Sequence, residues 1–103
     1  MNRSDVMDLI VTTLQDLLAS DPARAGLPIE EGTRLYGPEG LLDSLRLVSL
    51  VLDLEQEIND RMDTAITIAD SRAMSQQRSP FRSVGSLADY IMRLLADEQQ
   101  QAA

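Results

Sequence analysis

The chain has 103 residues, contains neither cysteine nor histidine, and all nine of its basic residues are arginine. Those absences exclude a disulfide framework, a thiol nucleophile, the usual zinc and iron ligands, the Ser/His/Asp and Cys/His constellations, Schiff-base lysine chemistry and a P-loop lysine. Seventeen Asp and Glu leave a net charge of −8, which repels nucleic acid and anionic membrane surfaces and favours basic partners.

The N-terminal stretch MNRSDVMDLIVTTLQDLL carries aspartates among its apolar residues and lacks the cleavage site of a signal peptide. No run reaches the length of a transmembrane segment, so a cytoplasmic location is expected. Val6, Leu9, Ile10, Leu14, Leu17 and Leu18 recur at the spacing of one helix face. Ser4 is the predicted N-cap, Asp5 and Asp8 lie near the positive end of the dipole, and Asp21 and Pro22 mark the end. A Gly- and Pro-rich loop follows, DPARAGLPIEEGTRLYGPEGL, with Leu27, Ile29, Leu35 and Tyr36 expected to pin it to the core. Loops of this length are unusual in small domains and tend to be functional or poorly ordered.

Residues 41–60, LLDSLRLVSLVLDLEQEIND, hold more leucine and valine than one buried face can use. At about 100° per residue, Leu47, Leu50, Val51, Leu54 and Ile58 form one stripe, the predicted core face. Leu45, Val48 and Leu52 form a second stripe, centred more than about 120° from the first. Arg46, Asp53 and Glu57 lie on the polar face; Ser49, Glu55 and Gln56 border the second stripe, and Ser44 stands at its head.

The connector RMDTAITIADSRAMSQQRSPFRS is expected to hold one short helix somewhere within residues 68–78, anchored by Ile66, Ile68 and Phe81; ITIA could pass for a strand but lacks a partner. In the last helix Val84, Leu87, Ala88, Ile91, Leu94 and Leu95 repeat the helical spacing behind a Ser83 cap, and the polar end EQQQAA should fray. The expectation is one all-α domain over residues 1–103, ordered from about 4 to 97 with a polar tail at 98–103. It is a small bundle of three main helices and one short one. Met7, Met62, Met74 and Met92 are expected as gap fillers.

Periodicity leaves the second stripe open. It can pack beneath the long loop, with Asp43 and Ser44 a simple N-cap pair. It can also stand uncovered beside a serine hydroxyl placed where the unpaired N–H groups of a helix start favour an anion, such as an attached phosphodiester. Carboxylate pairs Glu30–Glu31 and Glu55–Glu57 fall on polar segments where solvated surface is the ordinary explanation; Asp5 with Asp8, or Asp60 with Asp63, could touch a cation loosely on a helix face, yet no loop has the ligand spacing of a calcium site. Enzymatic activity is therefore not expected.

The string GLLDSLRLVSLVLDLEQEI, preceded by TRLYGPE and followed after the connector by FRSVGSLADYI, resembles the acyl carrier protein family of phosphopantetheine-bearing carriers. The resemblance runs from about Val6 to Leu95 and follows the family's order of helix, long loop, Asp-Ser-Leu, helix, short helix and final helix. It implies an acyl-carrier-like bundle in which Ser44 bears a 4′-phosphopantetheine arm, transferred from coenzyme A by a phosphopantetheinyl transferase. Acyl or aminoacyl groups would ride on the arm's thiol as thioesters, as in fatty acid or polyketide biosynthesis. Asp43 would help recruit the transferase and its metal, while Leu45, Val48 and Leu52, with Glu55 and Asp53 at the rim, would dock the loading ligase and the acyl-using enzymes. A monomeric, non-catalytic carrier is implied. Arg46 and Ser49 depart from the acidic docking helix of housekeeping fatty-acid carriers, and the GLLDS spelling looks closer to the D-alanyl carrier branch, whereas the connector does not; together they point to a specialised pathway. The alternative is an unmodified helical interaction module using the same Leu45, Val48 and Leu52 face.

Overall fold

The computed structural model describes residues 1–36, 40–68 and 81–101, with the backbone alone at Ser44 and residues 99–101. Its described elements are three helices, α1 (Arg3–Leu18), α2 (Ser44–Met62) and α3 (Val84–Gln101). The short helix expected within residues 68–78 lies, beyond Ile68, outside the described set, as does Met74. Residues 66–68 of the ITIA segment are not in a strand, and the one β-like feature among the described residues is an isolated antiparallel bridge between Arg34 and Ser83.

Each helix starts where a side chain meets its orphan N–H groups. At α1 the cap is Asn2 rather than Ser4: the Asp5 amide donates to Asn2 Oδ1 at 2.8 Å and the Asn2 amide to Asp5 Oδ2 at 3.1 Å. This reciprocal box satisfies two donors where a Ser4 cap would satisfy one, so the helix begins earlier than the sequence predicts. At α3, Ser83 caps as expected, its Oγ accepting from the Ser86 amide at 3.2 Å. Two further amides of that helix start, Val84 and Gly85, donate to the carbonyls of Thr33 and Glu31 at 3.0 and 2.8 Å, so the long first connection itself closes the end of α3. The far end of α3 continues through Gln101.

Helix α1 packs against both α2 and α3, and α2 and α3 make no close backbone approach to each other. One cluster holds the three apolar faces together: Val6, Ile10 and Leu14 from α1, Leu50, Leu54 and Ile58 from α2, and Leu87, Ala88 and Ile91 from α3 are all sealed from solvent. Leu35, Leu42, Ile66, Ile68 and Phe81 from the connections complete it, and Phe81 meets the Tyr90 ring edge-on at 6.2 Å. Met7, Met62 and Met92 lie half-buried against this cluster. Of the four predicted loop anchors, Leu35 is buried and Ile29 half-buried, but Leu27 and Tyr36 are 44% and 47% exposed. The loop fastens instead through Leu35 and Leu42, whose backbones are joined by a hydrogen bond of 2.9 Å. Among the described residues, no helix is long and apolar enough to cross a membrane.

Candidate functional site

The start of α2 is set by what precedes it. Leu41 and Leu42 donate their amides to the carbonyls of Arg34 and Leu35 at 3.0 and 2.9 Å, which closes a loop at its base. Gly40 sits so near the Tyr36 backbone that a Cβ would lie 2.6 Å from Tyr36 Cα, so only glycine lets the chain return this tightly. Burial of Leu42 then holds the following residues at the end of the bundle. Asp43 adopts the extended conformation of a cap, and its Oδ1 accepts from the Arg46 amide at 2.8 Å. Ser44 is the first residue of the helix, and its side chain lies outside the described set. The capping bond therefore belongs to Asp43, and Ser44 is not required as a cap.

Along α2 the two apolar stripes separate cleanly. Leu47, Leu50, Val51, Leu54 and Ile58 are buried, while Leu45, Val48 and Leu52 are 79%, 38% and 52% exposed. The long loop does not cover the second stripe, which disposes of that reading of it. Three neighbouring apolar side chains are thus left in water together on one helix face, rather than singly scattered over the surface. At the rim Ser49 donates its hydroxyl to the Leu45 carbonyl at 3.2 Å, and Asp53 is exposed. Glu55 is half-buried and its Oε2 accepts from the Ile68 amide at 3.3 Å, so this carboxylate ties the second connection to α2 as well as bordering the patch.

Arg46 turns away from the patch. Its guanidinium donates to Asp21 Oδ2 at 2.9 Å, and the same oxygen takes Arg24 at 3.2 Å, while Asp21 Oδ1 caps the Ala23 amide at 3.1 Å. The hydrogen bond from Arg46 is the main reason the Asp21 carboxyl is held below its usual value, and Arg46 is correspondingly raised. The end of α1 is thereby fastened to the first turn of α2. Sequence reasoning placed Asp21 at a helix end and Arg46 on a polar face; no local spacing signals a pair 25 residues apart.

Among the described residues, several of the acidic side chains take structural partners. Glu31 and Asp89 both bond Arg3, Asp5 sits in its capping box, and Glu57 pairs with Arg61 at 3.2 Å. Among the described residues, no three His, Cys, Asp or Glu side chains gather as metal ligands, and no polar side chain is fully buried. No protein-family model matches the chain, and no curated protein or solved structure matches it.

Proposed function

We propose that the protein is a non-catalytic carrier that holds acyl or aminoacyl groups as thioesters on a 4′-phosphopantetheine arm attached to Ser44. The observation that carries this reading is the uncovered Leu45, Val48 and Leu52 face on the helix that opens with Asp-Ser-Leu. A carrier must present its serine to a transferase and then meet a series of enzymes, and a small apolar face beginning one residue after that serine suits both needs. Asp43 supplies the capping bond, so that bond does not call on the Ser44 hydroxyl. The absence of cysteine is compatible with the reading, because the prosthetic group brings its own sulfur.

Docking on this face is weak and quickly reversed, as exchange among partners demands: three side chains bury little area, and the charge of −8 speeds encounters with basic surfaces more than it tightens them. The partners are a phosphopantetheinyl transferase, a loading ligase and acyl-using enzymes of a specialised pathway.

Incubation of the purified chain with coenzyme A and a broad-specificity transferase, followed by intact mass measurement, tests the proposal. One phosphopantetheine is expected on the wild type and none on Ser44→Ala. An unchanged wild-type mass would leave an unmodified interaction module that uses the same exposed face.

A further inference from the structure

We propose that the cavity between the last turn of α1 and residues 24–29 is a binding site for a small aliphatic carboxylate, independent of Ser44. The cavity measures ≈ 520 Å³ and is walled by Leu18, Ala25, Leu27, Pro28 and Ile29, with Arg24 the single charged side chain on its lining. That size, with mostly apolar walls and one placed charge, is the ordinary make-up of a small-ligand site. Its shape comes from the turn itself: the Leu27 amide donates to the Arg24 carbonyl at 3.2 Å and Gly26 takes φ +87, a conformation glycine adopts without strain. The turn leaves Leu27 over the opening, half in water, where it gains from an apolar occupant.

The charge selects the head group. Arg24 reaches Asp21 Oδ2 through one nitrogen at 3.2 Å, and that oxygen is shared with Arg46 at 2.9 Å. Two guanidinium groups on one carboxylate leave Arg24 with donors to spare for a second acceptor. Two grooves along α1 and α2 argue the other way, being lined by Asp5, Asp8, Asp16, Asp53 and Glu57 with Arg61 as their one basic side chain. A carboxylate with an aliphatic tail is repelled there and admitted beside Arg24.

Octanoate, at submicellar concentration, is titrated into the ¹⁵N-labelled full-length chain and followed by amide shifts. For a ligand of about ten heavy atoms, ordinary ligand efficiency places the dissociation constant in roughly the millimolar range. Saturable shifts are expected at residues 24–29, with Leu27→Asp raising the constant by about tenfold or more. Because Leu27 is exposed, that variant keeps its fold, and Arg24→Gln provides a second reading: it should weaken octanoate severalfold and leave octan-1-ol unchanged. Ser44→Ala should bind as wild type does. Absence of saturable shifts, shifts centred on the Leu45, Val48 and Leu52 face, or indifference to Leu27→Asp would overturn the site; equal loss of acid and alcohol on Arg24→Gln would overturn the carboxylate assignment.

Discussion

Leu50 and Leu52 lie two residues apart on α2, yet the first is sealed and the second is 52% exposed. Identical side chains therefore carry different work. Leu50→Ala removes atoms from a close-packed cluster and should cost about 3 kcal/mol, whereas Leu52→Asp should stay within about 0.5 kcal/mol of wild type, both read from urea unfolding midpoints. Under the carrier proposal the second variant loses loading by its ligase while folding normally; a collapse of Leu52→Asp would mean the face is interior. This division was legible in the sequence because a regular helix converts residue number into direction, and the stripe arithmetic separated the two leucines. No such conversion exists in a loop. Leu27 and Tyr36 looked like anchors by composition, but which loop side chains turn inward depends on backbone turns such as those at Gly26 and Gly40. Glu55 was read as a rim charge, and its bond to the Ile68 amide depends on a connector path that sequence spacing does not encode.

For whole elements, the three long helices follow from apolar periodicity, and their starts from competition between caps. Ser4 lost to Asn2 because Asn2 and Asp5 answer each other's amides, a box spelled with residues other than the usual Ser and Glu. At α2 the Asp43–Ser44 pair resolves to Asp43, whose bond to the Arg46 amide holds the first turn. Asp43→Ala should therefore destabilise the chain by about 1 kcal/mol, while Asp43→Asn, still a capping side chain, should restore most of that stability. The same pair of variants separates cap from recruitment: if Asp43 also attracts the transferase by its charge, Asp43→Asn folds well and is modified slowly. At the other end of α2, Asp63 closes the helix with φ 52, and Asn59 clamps the exit by accepting from the Ile66 amide at 2.9 Å and donating to its carbonyl at 3.1 Å. Nothing in the apolar pattern marks Asn59 for that task, since its importance lies in satisfying a backbone that leaves the helix.

In the molecule as a whole, α1 is the helix whose backbone approaches both of the others, and ion pairs tie its two ends while the shared apolar cluster holds its length. Arg3 binds Glu31 and Asp89 at one end; at the other, Asp21 binds Arg46 at the head of α2. The second tie has a definite pH signature. Because Asp21 is held below its usual value mainly by Arg46, the unfolded chain takes up that proton at higher pH than the folded one. The tie thus contributes stability above the unfolded carboxylate range, and the contribution is lost as pH falls through the lower folded value. Acidification also relieves the self-repulsion of a chain with a net charge of −8, which acts in the opposite direction and hides the effect in the wild type alone. The informative quantity is the difference in Tm between wild type and Asp21→Asn at each pH. That difference should be largest near neutrality, close as the pH drops through the acid range, and shrink with added salt because the pair is partly in water. Arg46→Gln should give the same closing curve, since it removes the other half of the same contact. A difference that stayed constant from neutral to acid pH would show that the Asp21 charge makes no pH-dependent tie, leaving the end of α1 and the head of α2 joined by the apolar cluster.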